Sequence, residues 1–594
     1  MVFRQKSALR YLLCLLLAYL TVCSFYSCFL LYCSEEGFVA HFIWPVRSSS
    51  PVDKIVFPTM FLLFSRLYIL FSGKPQTFRI SDALLSLFYA LSFLIGFCQF
   101  STDSNAFRVP GVGFVGLSAT VLSFFCFFYC ILDIIHQNLD VGIPLGRPFG
   151  SDRRLRIGVV CFFILAWVPF FLCTYPGSVT VDTLNQLRQT WHMKPLSNNN
   201  PLFDTMIYGV LYQIGTFLGR SDNAGIAMNI FIQLLLYLFA FTYCVETVYR
   251  ISDSSYLTLA LTLYYGIVPV YGSAMRVMLK DSLHLPIVVL YFSFLIRLAY
   301  FPPKKHALWK FFLLFLAAAL SRKAAFFYIL AGAVVLWWLR RKDPAFRLLL
   351  PVILLDVVCF LGIENLLYPA LGAARAPTRE LLSIPIQGVA YITIHHHEDM
   401  PPELLNSINK LMNIDSILAD YSPYKSDSMK TLFNGTVSEL LHLYLSLIRR
   451  YPADALKSII ASSWRYFFPF DNPAGAFRQY IADSTPYNKN IYHVFPSLLK
   501  RLAKYTDMWS SSPLLTTWIA PGTHAWILLF TAARTYRKRL RKNAVLIIPM
   551  CILLVGLMFT PVNADTRYAL PLFGLAPAAL ALVCGCSSQV AEKS

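Results

Sequence analysis

The sequence predicts an all-α protein that crosses a membrane many times. Of its 594 residues 57% are hydrophobic and only 14% charged, where ordinary soluble domains carry about 25% charged residues. Mean hydropathy is +0.57. Apolar runs also recur from Leu9 to the C-terminal region, with the length of about 17–25 residues that spans ~30 Å of hydrocarbon as helix. The first run is one of many, so it reads as a span rather than a cleaved export signal.

In chain order the apolar windows fall at residues 9–32, 56–72, 80–100, 112–136, 157–174, 224–249, 256–272, 282–299, 309–320, 323–339, 347–368, 514–533, 544–560 and 567–584. This makes about 14 transmembrane helices with both termini cytoplasmic in the plasma membrane. Residues 1–150 hold the first four as an N-terminal addition. Residues 151–370 form the membrane core, with a first outer loop at 175–223. Residues 371–513 form a small, mostly helical outer domain, patterned as in MPPELLNSINKLMNI and TVSELLHLYLSLIRR, with apolar residues every three or four positions. Residues 514–594 return to the membrane.

The net charge of +20 is explained by where the cations lie. They gather in short loops: Lys74 and Arg79; Arg147, Arg153, Arg154 and Arg156; Lys304 and Lys305; Arg340, Arg341 and Lys342; and residues 534–542. That bias marks the cytoplasmic side of a polytopic protein and excludes nucleic acid as the partner. Counting Pro201–Leu218 as a span would invert it, so this segment is expected to lie along the membrane surface. All 14 cysteines sit in or beside apolar runs and none between Leu371 and Pro521, so no disulfide is expected in the outer domain. Cys584 and Cys586 lack a His beside them and read as membrane-edge residues.

The first outer loop carries the leading candidate for chemistry. Pro176-Gly177 makes a turn, Ser178 or Thr180 caps, and a short helix runs to Trp191 with Val181, Leu184 and Trp191 on an apolar stripe. Asp182 sits in its first turn, where the helix dipole favours a carboxylate, and Gln186 lies one turn on. Arg276, Lys280 and Asp281 occupy another outer turn, Arg322 and Lys323 a third, and Asp565, Thr566, Arg567 and Tyr568 the last. Cations at an outer boundary run against the loop bias, and several such turns meeting around one carboxylate would make an anion site suited to phosphate. By contrast, the neighbours His395, His396 and His397 cannot all point one way, so composition alone suggests a metal there.

The motif Tyr175-Pro176-Gly177, Asp182, Gln186 resembles the YPG-x4-D-x3-Q signature of a largely uncharacterised bacterial branch of the GT-C superfamily of membrane glycosyltransferases. Matches follow in order at Lys280–Ser282, Ser321–Lys323, Ser383–Gly388, Tyr424–Lys430 and Asp565–Leu572, so the resemblance covers roughly residues 150–590. Where relatives show His-Pro at the start of the surface helix, this chain has Asn198-Asn199-Asn200-Pro201. The resemblance implies a GT-C-like bundle with interfacial helices and an outward site. It also implies transfer of a sugar from a polyprenyl-phosphate donor to a cell-envelope acceptor, a glycan, lipid or protein. Asp182 would be catalytic; Gln186, Arg276, Lys280, Arg322, Arg567 and Tyr568 would bind substrate, with a divalent cation (Mg or Mn) as an optional aid and its ligands unknown. The alternatives are a lipid-linked sugar flippase and a non-catalytic envelope assembly factor.

Overall fold

Helices form wherever the sequence is apolar over long runs, because only a helix satisfies its own backbone donors and acceptors inside hydrocarbon. The computed structural model describes residues 2–30, 51–72, 79–100, 113–142, 146, 149, 151–376, 378–471, 477, 491–563 and 565–591. Lys74, Arg147, the side chain of Cys586 and residues 472–476 and 478–490 of the outer segment lie outside the described residues. Among those described, nine helices are long and apolar enough to cross a membrane, or ten if the bent pair Ser255–Ile267 and Pro269–Met275 is one span. The remaining apolar segments are shorter. Ala307–Leu320 and Ala544–Leu557 have 14 residues each, or about 21 Å of helix. The window at 514–533 splits into Pro513–Ile519 and Pro521–Arg537, each opened by a proline at its first position, where the missing N–H costs nothing.

The chain packs as two units, Met1–Gly142 and Ile143–Ser594. In the first, helices α1 (Val2–Leu30), α2 (Pro51–Ser72), α3 (Ile80–Phe100) and α4 (Gly113–Val141) pack through aromatic rings. Phe25 meets Phe64, Phe93, Phe124 and Phe127 at centroid distances of 5.1–5.7 Å.

The second unit is built on α5 (Asp152–Cys173), α6 (Val181–Thr190), α7 (Leu202–Gly219), α8 (Asp222–Ser252), the bent pair α9 (Ser255–Ile267) and α10 (Pro269–Met275), and α11 (Lys280–Tyr300). Helix α7 is not among the helices apolar enough to cross; it turns back along α8, where Gly215 and Gly225 leave room for the partner backbone and the Tyr212 ring. The break at α10 frees carbonyls in the interior. Gln233 of α8 donates Nε2 to those of Met275 (2.6 Å) and Val277 (3.0 Å), as a backbone irregularity buried in protein requires. The long C-terminal helix α12 (Thr566–Ala591) is held at its core by Tyr265 and Tyr271, whose hydroxyls donate to the carbonyls of Gly574 (2.6 Å) and Phe573 (2.7 Å).

The described part of the segment at 371–513 is helical as expected, with its own apolar core around Ile386, Val389, Ile408, Leu440 and Leu447. Thr436 and Glu439 form a reciprocal capping box at the start of Val437–Arg450. Residues 424–426 run against 561–563: Ser426 N donates to Pro561 O at 2.8 Å and Asn563 N to Tyr424 O at 2.9 Å. The three histidines diverge. His395 stacks on Tyr391, while His396 stacks on Tyr451 at 4.1 Å and meets the Asp454 carboxylate at 3.0 Å and Asp399 at 3.3 Å.

Burial opposes the charged form of His396, but hydrogen bonds to Asp454 and Asp399 outweigh it and raise its pKa above the ordinary 6.5. A histidine raised on folding contributes stability that is complete below the unfolded value and is lost as pH rises through the folded one. Amide exchange in residues 383–463 should therefore be faster, relative to the unfolded chain, at pH 8 than at pH 6. Asp454→Asn should remove the difference, and a pH-independent wild type would contradict this.

Candidate functional site

The loop after α5 is shaped by Tyr175-Pro176-Gly177, whose Tyr175–Pro176 peptide is cis. Gly177 has φ +137°, a conformation reserved for glycine, and a Cβ there would lie 2.5 Å from Ile230 Cγ1. The turn feeds a two-residue strand that pairs in parallel with Val277–Met278, in the register Ser178↔Val277 and Val179↔Met278. Thr180 then caps α6, accepting from Thr183 N. Thr183 Oγ1 in turn donates to Met278 O. This bond rotates α6 so that Thr183, Leu184, Gln186 and Leu187 are buried while Val181 is exposed. The expected stripe of Val181, Leu184 and Trp191 is thus replaced by a face that includes polar side chains.

Asp182 is left partly open, 39% exposed, and its carboxylate takes Arg567 Nη1 at 3.0 Å across 385 positions of sequence. Arg567 also meets Asp565 at 3.1 Å and donates Nη2 to Tyr568 Oη at 2.7 Å. Arg322 lies over the same Tyr568 ring, 5.3 Å from its centroid, and contacts Asp281 at 2.6 Å. Asp281 is 1% exposed. His284, between Ser321 Oγ (2.7 Å) and Tyr328 Oη (2.5 Å), ties α11 to the turn that carries Arg322. Lys280 donates to Asn200 Oδ1 at 2.6 Å. Lys323 donates to Asn198 O and lies 3.7 Å from Glu364, which accepts from Asn198 Nδ2 at 2.7 Å.

Asp182, Arg567, Tyr568, Arg322 and Asp281 therefore belong to one connected set of charges and rings, and Lys280 precedes Asp281 in the chain with its ammonium on Asn200. Gln186 and Arg276 do not join it. Gln186 is fully buried and donates Nε2 to Thr205 Oγ1 at 3.0 Å, which fastens α6 to α7. Arg276 is also fully buried and donates Nη1 to Ser178 Oγ at 3.0 Å, which fastens the first loop to the second. Both are redirected because their turns must bury a polar group inside the loop packing and not at its mouth.

Sequence reasoning missed Asp204. It lies in α7, is fully buried, and among the described residues neither carboxylate oxygen is hydrogen-bonded. Burial raises its pKa well above the usual carboxylate range; Lys280 opposes the shift and Asp281 reinforces it. The protonated form balances the site, because Asp182, Asp281, Glu364 and Asp565 then face Lys280, Arg322, Lys323 and Arg567. An acid inside the otherwise apolar PLFDTMIYGVLYQIG was the available signal. The run Asn198-Asn199-Asn200 was another, since the Asn200 side chain holds Lys280 and the Asn198 side chain holds Glu364.

Among the described residues no three His, Cys, Asp or Glu side chains group as a metal set. The family model DUF6020, described as a family of unknown function, matches residues 191–594. Lys280, Arg322, Arg567 and Tyr568 lie inside that match, and Asp182 just before it. No curated protein and no solved structure matches the chain.

The two acidic partners should differ sharply in what they contribute to stability. The partly open Asp182–Arg567 pair is of the kind worth about 0–1 kcal/mol, so Asp182→Asn should hardly move the thermal midpoint in detergent. Breaking the buried Asp281–Arg322 pair leaves an uncompensated charge at a cost of about 3–5 kcal/mol. Asp281→Asn should therefore lower the midpoint clearly, and equal melting of the two variants would contradict this ranking.

Proposed function

The chain belongs to the DUF6020 family, and from the charges gathered at the Asp182 end of its bundle we propose that it is a membrane glycosyltransferase. It moves a sugar from a polyprenyl-phosphate carrier to a cell-envelope glycan, lipid or protein acceptor on the outer face of the plasma membrane. Counting the bent pair and the shorter apolar helices Leu9–Phe25, Ala307–Leu320, Pro521–Arg537 and Ala544–Leu557 as crossings brings the total to fourteen, with both termini inside and Asp182 outside. Nucleotide sugars are not available there, which is why the donor is a lipid phosphate.

The observation that carries this reading is the meeting of a solvent-open carboxylate with two guanidiniums on one tyrosine ring: Asp182 on Arg567, and Arg322 across Tyr568. Guanidinium forks match phosphate oxygens. A donor phosphate entering beside Arg567 competes with Asp182 for it and frees the carboxylate to take the proton of the acceptor hydroxyl. The hydroxyl oxygen bonds to the anomeric carbon as the bond from that carbon to the phosphate oxygen breaks. The charge left on the carrier phosphate is met by Arg322, Arg567 and Lys280. No step is routed through a metal ion.

A lipid-linked sugar flippase is the second reading, favoured by Asp356. It is fully buried within Leu349–Gly362, and neither carboxylate oxygen is hydrogen-bonded among the described residues. Ionisable groups inside spans mark transport paths. The two readings separate in membranes supplied with labelled polyprenyl-phosphate sugars. If the transferase reading holds, Asp182→Asn lowers sugar transfer by about 10²–10⁴-fold, Arg567→Lys lowers it too, and Asp356→Asn leaves it unchanged. Transfer by Asp182→Asn at the wild-type rate, with loss in Asp356→Asn, would favour the flippase.

A further inference from the structure

At the opposite end of α8 and α11 lies a cavity of about 520 Å³ that the proposed chemistry does not use. Seventeen residues separate Lys280 from Arg297 along α11, or about 25 Å of helix, so this cavity and the Asp182 cluster are separate places. Its walls are apolar and aromatic: Tyr243, Phe294, Leu298, Phe301 and Pro302. Arg297 forms part of the floor, its guanidinium 3.8 Å from the Tyr243 ring centroid and its Nε donating to Thr247 Oγ1 at 2.7 Å. Glu246 holds this arginine at 3.6 Å, Arg250 at 2.8 Å and Arg156 at 3.6 Å. The arginines are thus fixed and largely neutralised by Glu246, together with Asp152 on Arg250.

The rim differs. Lys304, Lys305 and Lys310 line the cavity and are exposed, and among the described residues none of them has an ion-pair partner. Three uncompensated ammonium groups around an apolar hollow fit neither a free soluble anion, which has no use for the walls, nor a neutral hydrocarbon, which has none for the lysines. They fit an amphiphile with an anionic head. The volume falls within the ~300–1,000 Å³ of small-molecule sites. The basic loops put this end in the cytoplasmic leaflet, where basic pockets between helices hold anionic lipid headgroups.

We propose that this cavity is a binding site for one anionic diacyl phospholipid, its phosphate among Lys304, Lys305 and Lys310 and its acyl chains against Phe294 and Phe301. The inference is independent of the transferase reading. The full chain in neutral detergent, given phosphatidylglycerol or phosphatidylcholine, tests it by native mass spectrometry and thermal melting. Wild type should retain phosphatidylglycerol but not phosphatidylcholine, and should melt higher with the former. Lys304→Gln/Lys305→Gln/Lys310→Gln should bind phosphatidylglycerol about a hundredfold more weakly and lose the shift. Lys500→Gln/Arg501→Gln/Lys504→Gln, which removes three exposed charges elsewhere, should keep both. Equal loss in the two triple variants would mean general charge attraction and overturn the site. So would a lysine variant that behaves as wild type, or a wild type that does not distinguish the two lipids.

Discussion

A charge buried away from water at the end of a helical bundle is costly unless an opposite charge meets it, and the contact between Asp281, 1% exposed, and Arg322 at 2.6 Å is where this constraint is tightest. Removing ions from water costs several kcal/mol each, so every buried member of the cluster must find its opposite. Asp281 and Lys280 open α11, Arg322 ends the turn after Ala307–Leu320, and Arg567 opens α12. Neutralisation therefore draws the starts and ends of distant segments to one place. Among the described residues Asp204 has no hydrogen-bonded cation, and burial raises its pKa, which favours the neutral acid.

The same constraint leaves one pair loose. Asp182 and Arg567 meet at the open edge, where the carboxylate is 39% exposed and its attraction to the guanidinium is screened by water. A tight buried pair fixes geometry, while a loose one exchanges partners, and the proposed transfer uses both kinds. Arg322, held by Asp281, lies over the Tyr568 ring, and in the proposed transfer Arg567 is the group that would move from carboxylate to phosphate. Gln186 and Arg276 serve this arrangement from behind by locking the loop that presents Asp182.

The two ends of α8 and α11 divide the polar work of the second unit. One end gathers acids and bases in near balance; the other carries lysines without partners. Balanced charge suits a site that must exchange one anion for another, and unbalanced charge suits a site that holds one. About 25 Å of apolar helix between them keeps the two apart electrostatically and chemically.

Much of the membrane architecture was legible because hydropathy is a property of local runs. The long helices and the helical segment at 371–513 follow from which residues are apolar and at what spacing, and the turns that carry Lys280, Arg322 and Arg567 announce themselves as cations outside the basic loops. Pro176-Gly177 and the capping threonine were likewise local. Which of fourteen apolar windows reach spanning length was not, since prolines at 513 and 521 and the 14-residue helices shorten several of them. The fate of individual polar side chains was not legible either. Whether Gln186 faces Asp182's partner or Thr205, and whether Asp204 is a surface acid or a buried one, depends on how α6 and α7 are rotated by tertiary contacts such as that of Thr183 with Met278. By itself the sequence determined that this chain is a helical membrane protein with charged turns between its apolar runs, because solvation is set residue by residue. Only the tertiary structure decided which charges meet, because pairing is set by distances that no local pattern encodes.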